Sequence, residues 1–135
     1  MTRPVFTYAV VALATAQLIG AAAGLAVNPD FSTGADATAV KWLGVDVNGW
    51  HSVAGMFLGA PGLLLLKWPQ FTRRYVYGIV GVLLVTAVWG MLDERPLGLL
   101  FFPDKTGDFI FHIASALGFS ALLLLDRRQP AAVDA

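Results

Sequence analysis

The side chains best suited to chemistry in this sequence are its two histidines, His51 and His112. Both lie about one turn inside an apolar segment, so we expect each ring near the N-terminus of a helix. The positive end of a helix dipole favours neutral imidazole, the form that binds a metal ion or haem iron. One interpretation is therefore a shared site, either bis-histidine haem b or a metal ion completed by Asp46 or Asp108.

A second interpretation gives the same residues structural roles. Asn48 precedes the second apolar segment and is expected to cap a helix there, and Asp108 is expected to cap the fourth helix. Asp108 and His112 are four residues apart, a spacing that also allows a carboxylate–imidazole pair. In this structural interpretation, each histidine ring bonds a loop carbonyl oxygen or the side chain that caps its helix. Because two histidines lack the third protein ligand usual for zinc, structural anchoring is favoured and no metal is assigned.

Four apolar segments must position these residues, at approximately 5–27, 50–66, 75–92 and 109–125. Each has about 17–23 residues, enough to cross a hydrocarbon core of roughly 30 Å as a helix. None alternates as a membrane β-strand does. The chain is 57% hydrophobic and only 13% charged, whereas soluble domains are about 25% charged. We predict an all-α integral membrane four-helix bundle that forms one domain over residues 1–135.

Basic residues predict the orientation of this bundle. Six lie near one set of helix ends: Arg3, Lys67, Arg73, Arg74, Arg127 and Arg128. Only Lys41, Arg95 and Lys105 lie near the other set, where acidic residues outnumber them. The side richer in Lys and Arg is expected to be cytoplasmic. We therefore predict a multi-pass protein of two helical hairpins in a bacterial plasma membrane, with both termini in the cytoplasm.

Small and polar residues predict how the helices pack. Gly20 and Gly24, and likewise Gly55 and Gly59, are four residues apart, a spacing that lets helix backbones approach closely. We expect these glycines to pack within the bundle, with a homodimer through Gly20 and Gly24 as the alternative. Gln17 is the one strongly polar side chain deep in the first segment, and such groups face neighbouring helices.

Several classes of function are excluded or disfavoured. The chain has no cysteine, so disulfides, thiolate metal sites and cysteine nucleophiles are excluded. Zero formal net charge gives no indication of nucleic-acid binding. No phosphate-binding loop, serine–histidine–acid set or paired buried carboxylate is recognisable. We expect a protein that is not an enzyme and holds no resident cofactor. A small transporter or channel lined by Gln17 is an alternative, although no charged residue lies near the predicted bilayer centre.

Two motifs resemble a known family. They are the segment 44–51, GVDVNGWH, followed by Gly55 and Gly59, and the segment 106–115, TGDFIFHIAS. Together they resemble the small four-helix bacterial membrane proteins of domain-of-unknown-function family 4383, over nearly the whole chain. The resemblance implies a four-helix fold and a membrane location, and it implies no established activity.

One position departs from that family's pattern. The first motif of the family tends to read asparagine, two residues, histidine, and a second histidine four positions later; here Gly55 stands at that last position. The departure argues against a metal site built from several histidines. We therefore expect a non-enzymatic accessory or envelope-homeostasis protein whose partners are the lipid bilayer and another membrane protein or a second copy. Haem or metal binding by His51 and His112 is the main alternative.

Overall fold

Four α-helices account for most of the structure, a computed structural model that describes residues 3–127. They are α1 (Arg3–Val27), α2 (Gly49–Leu63), α3 (Thr72–Leu92) and α4 (Lys105–Arg127). Together with the short 3₁₀ turns that adjoin α2 and α3, all four are long and apolar enough to cross a membrane. The prediction of an all-α protein with four such helices is confirmed.

All four helices differ from the predicted bounds, α1 by beginning two residues earlier, at Arg3. α2 ends at Leu63, two residues after Pro61, and a 3₁₀ turn follows at Leu64–Leu66. Pro61 has no N–H to donate within the last helical turn. α3 begins three residues earlier than predicted, at Thr72. α4 begins at Lys105, so Asp108 lies inside its first turn. The prediction that Asp108 is the N-cap of this helix is wrong.

A small β-hairpin lies between α1 and α2, where only a loop was predicted. β1 (Val40–Trp42) pairs antiparallel with β2 (Val45–Val47), with Lys41 opposite Asp46. The two-residue turn at Leu43 and Gly44 has φ values of 51° and 85°. Positive φ at both turn residues matches the right-handed twist of the strands. Leucine rarely adopts this conformation, so the residues of this turn do not predict a hairpin.

The helices form two antiparallel pairs, because α1 packs mainly on α2 and α3 mainly on α4. This arrangement matches the two predicted helical hairpins, here called helix pairs. One end of the bundle carries residues 28–48 and 93–104, and we call it the loop end. The opposite end, the termini end, carries the α2–α3 connection and the two chain ends.

The hydrophobic core lies in the half of the bundle nearer the termini end. Its buried side chains come from α1, α3, α4 and the turn after α2: Phe6, Val10, Val11, Leu65, Val76, Ile79, Leu83, Ala116, Phe119 and Leu123. Two polar contacts flank it, a hydrogen bond of 3.0 Å between the hydroxyls of Thr7 and Thr72 and an ion pair of 2.6 Å between Arg73 and Asp126. The two helix pairs are thus firmly packed on each other in this half.

Glycines bring α1 and α2 into close contact. A Cβ atom on Gly59 would lie 2.9 Å from the carbonyl oxygen of Ala14, and one on Gly55 would lie 2.9 Å from the Cβ of Ala21. Gly24 packs against Ser52 across the same interface. Gly20 differs from the other three predicted packing glycines, because open space surrounds the position of its missing Cβ.

We expect Gly59→Val to lower the free energy of unfolding by about 1–3 kcal/mol, the usual cost of overpacking a close contact. The matched control is Gly81→Val on α3, where open space surrounds the missing Cβ. Denaturant titration of both variants in detergent micelles would measure the difference. Equal losses in the two variants would contradict close packing of α1 on α2.

Candidate functional site

Asn48 joins the start of α2 to the loop that precedes α4. Its backbone is extended, and its Oδ1 accepts a hydrogen bond of 2.8 Å from the N–H of His51. Its Nδ2 donates to the carbonyl oxygen of Leu99 at 2.9 Å. The side chain is 1% exposed, and a buried amide is stable only with such partners. The predicted N-cap at Asn48 is confirmed, and the bond to Leu99 adds a tertiary role.

Three aspartates make the second connection at the loop end. The carboxylate of Asp46 accepts the N–H of Asp104 at 2.6 Å, and the N–H of Asp46 donates to Asp108 Oδ2 at 3.1 Å. Asp104 Oδ1 accepts the N–H of Gly107 at 3.2 Å, a contact typical of an N-cap. The residue that caps α4 is therefore Asp104, four positions before the predicted Asp108. Asp108 instead anchors the β-hairpin to α4.

Charged groups in the exposed loops are also paired. Hydrogen bonds from Ser32 and Thr38 lower the pKa of Asp30 to about 2. The hydrogen bond between Lys41 and Asp104 raises the pKa of Lys41 and lowers the pKa of Asp104. These carboxylates stay ionised at neutral pH and lose their stabilising contribution only as the pH falls below the usual range of an aspartate.

Both histidine rings bond backbone carbonyl oxygens. His51 Nδ1 lies 2.6 Å from the carbonyl oxygen of Asp46, and His112 Nδ1 lies 2.7 Å from that of Asp108. A carbonyl oxygen only accepts, so each Nδ1 carries the proton and donates. The alternative pair between the Asp108 carboxylate and the His112 ring is not formed. In a neutral ring with this tautomer, Nε2 carries a lone pair.

The structure brings the two histidines together across the helix pairs. Their ring centroids lie 5.8 Å apart and the ring planes are only 16° from parallel. Phe102 packs edge-on against both rings, with centroid distances of 5.3 Å to His51 and 6.4 Å to His112. The residues on which the haem hypothesis depends are therefore neighbours, although 61 positions separate them in the chain.

A cavity of about 520 Å³ lies between the helix pairs in the half nearer the loop end. Its wall includes both histidines, together with Gln17, Gly20 and Gly55. Sequence analysis placed Gln17 among neighbouring helices, and this polar side chain lines the cavity. Asp46, Asp108 and Asn48 do not line it; they hold the backbone that positions the rings.

Sequence analysis missed four further polar residues on the cavity wall: Trp42, Ser52, Thr86 and Ser115. Each is a lone polar residue within an apolar stretch, and only that feature could have marked it. In a helix, a Ser or Thr hydroxyl can also bond the carbonyl oxygens of its own helix, so the feature does not predict a site. Thr15 does so, donating to Val11 at 2.8 Å. Within residues 3–127, no group of three or more His, Asp or Glu residues is placed to hold a metal ion.

Comparison with known proteins gives one match. The family model described as "Domain of unknown function (DUF4383)" matches residues 5–125. No curated protein and no solved structure matches the chain. The match covers all four helices and both histidine motifs.

We expect Asn48→Ala to lower the free energy of unfolding by at least about 2 kcal/mol, because it removes a helix cap and leaves a carbonyl oxygen unpaired. Asn48→Asp keeps the acceptor for His51 but places a buried carboxylate oxygen against the carbonyl oxygen of Leu99, so it should not rescue the loss. Thr33→Ala is the control, since Thr33 precedes a 3₁₀ turn without a side-chain cap. Denaturant titration would rank the variants, and a loss in Asn48→Ala no larger than in Thr33→Ala would contradict both roles.

Proposed function

This chain belongs to the DUF4383 family, whose function is unknown, and we propose that it is a non-enzymatic accessory protein of the bacterial plasma membrane. In this proposal the four apolar helices cross the bilayer and both termini lie in the cytoplasm. Its role is interaction with other membrane components or maintenance of the cell envelope. The lipid bilayer and another membrane protein are its partners, and nucleic acid is not.

The distribution of charge supports the proposed orientation. Lys67, Arg73 and Arg74 lie at the termini end, and cytoplasmic loops are rich in such residues. Arg128 and the side chains of Arg3 and Arg127, which entered the same argument, lie outside the described part of the structure. Acidic residues dominate the loop end: Asp30, Asp36, Asp46, Asp93, Glu94, Asp104 and Asp108. This end would face away from the cytoplasm.

The observation that carries the accessory role is the use of the polar side chains at the loop end. Asn48, Asp46 and both histidines bond backbone groups that hold the loops and helix pairs together. A catalytic acid, base or nucleophile would instead need to reach a substrate. Because these groups stabilise the fold, we assign the protein a binding or interaction role.

Haem or metal binding is the second candidate, favoured by the parallel histidine rings. A small transporter or channel has less support, because no charged side chain among the described residues lines the cavity and ion pathways usually carry one. A homodimer through Gly20 and Gly24 also has less support, since Gly24 packs against Ser52 within the chain.

The proposed orientation predicts which engineered cysteines react from outside the cell. The chain has no cysteine of its own, so single substitutions report one position each. We expect a membrane-impermeant maleimide to label Thr33→Cys at the loop end on intact cells, but to label Gln70→Cys at the termini end only after lysis. Labelling of Gln70→Cys on intact cells would contradict cytoplasmic termini.

A pull-down from native membranes in mild detergent tests the proposed role, with mass spectrometry and an absorbance spectrum recorded on the same sample. We expect a membrane protein that is enriched over an unrelated four-span protein carrying the same tag, and no Soret band. A Soret band that disappears in His51→Ala and His112→Ala would replace the accessory role with haem binding. Purification without any enriched partner would count against the accessory role.

A further inference from the structure

The cavity between the helix pairs has the features of a built binding site. Its volume of about 520 Å³ falls within the range of roughly 300–1,000 Å³ typical of small-molecule pockets. Most of its wall is apolar, as in such pockets, with side chains from α1, α2, α3 and α4. None of the described residues that line it is Asp, Glu, Lys or Arg, so the wall favours a neutral occupant.

Two of the three buried side-chain polar atoms without a partner among the described residues belong to this wall, and the third, Asp108 Oδ1, does not. Trp42 Nε1 and Ser52 Oγ are fully buried and have no hydrogen-bond partner among the described residues. Both residues line the cavity, as do Thr86 and Ser115. In an apolar environment each unpaired group costs free energy of about 1–3 kcal/mol. An occupant of the cavity that supplied the missing hydrogen bonds to Trp42 and Ser52 would remove this cost.

The histidine tautomers set the chemistry of that occupant. Nδ1 of each ring donates to a backbone carbonyl oxygen, so Nε2 of the neutral ring is an acceptor. No described residue donates to either Nε2. These two acceptors, 61 positions apart in the chain and on rings 5.8 Å apart, can take hydrogen bonds from donors on a bound molecule. A hydroxyl group is a neutral donor that can also accept a bond, as from the unpaired Trp42 N–H.

Aromatic side chains give the cavity flat walls. Phe57, Phe111 and Phe119 line it together with Trp42 and the two imidazole rings, and aromatic rings pack well against other rings, edge-on or offset. From the hydrogen-bonding match to a hydroxyl group and these walls, we propose that the cavity binds a neutral aromatic alcohol of the phenol or hydroquinone class, with an apolar tail between the helix pairs. This inference goes beyond the accessory role, which does not require a ligand.

The test uses the full chain in phosphatidylcholine nanodiscs, titrated calorimetrically without oxygen, with empty nanodiscs subtracted. The probe is 2-decylbenzene-1,4-diol, and its dimethyl ether has the same ring and tail without a donor. Decanol has a hydroxyl and a tail without the ring. We expect saturable binding of the diol, and binding of the ether and of decanol weaker by about tenfold or more, the effect of one lost hydrogen bond or ring contact.

Matched variants locate the binding. Open space surrounds the missing Cβ of both Gly20 and Gly78, but only Gly20 lines the cavity. We expect Gly20→Phe to fill the cavity and abolish diol binding, and Gly78→Phe to bind like the wild type. Ser115→Leu fills the cavity from α4, so it provides the same measurement if Gly20→Phe has a lowered melting temperature.

Three results would overturn the inference. Equal affinity for the diol and the ether would remove the role of the imidazole acceptors. Wild-type affinity in both Gly20→Phe and Ser115→Leu would place the binding elsewhere. Heats indistinguishable from empty nanodiscs would mean that only solvent or acyl chains fill the cavity. None of these results bears on the accessory role, which the pull-down tests separately.

Discussion

The two helix pairs are joined at the loop end by buried side chains that bond the backbone of the opposite pair. Asn48, at the start of α2, donates to Leu99, and Asp46 accepts from Asp104 at the start of α4. An amide or carboxylate removed from water costs free energy unless it is hydrogen-bonded. These side chains therefore have few stable arrangements, and their reach fixes the distance between the two helix starts.

The same backbone segments orient the histidines. The carbonyl oxygen of Asp46 accepts from His51, and the carbonyl oxygen of Asp108 accepts from His112. Since Asp46 and Asp108 also bond each other, the two rings share one frame and lie nearly parallel. The polar residues of the loop end are thus connected by hydrogen bonds, and together they place the two imidazole rings on the cavity wall.

Packing is uneven along the bundle. At the termini end, side chains from α1, α3, α4 and the turn after α2 fill the space between the pairs. At the loop end, glycines hold α2 close to α1, while loop residues and the first turns of α2 and α4 make the contacts between the pairs. The helices consequently enclose a cavity there without loss of the fold, because the core and the loop-end hydrogen bonds fix the pairs at both ends.

The sequence by itself determined the four helices, since long apolar segments with few charges can satisfy their backbone in only a few ways, and it determined the Asn48 cap, which is a local contact. It could not choose between Asp104 and Asp108 as the cap of α4, because both precede the apolar run and both can accept N–H groups. Nor could it indicate the β-hairpin, whose turn places Leu43 at positive φ. The histidine pair, the carbonyl partners and the cavity were decided by the tertiary structure alone, because they depend on how the two helix pairs are spaced. That spacing is set by loop contacts between residues about 50 to 60 positions apart. Local sequence patterns cannot predict contacts over such a separation.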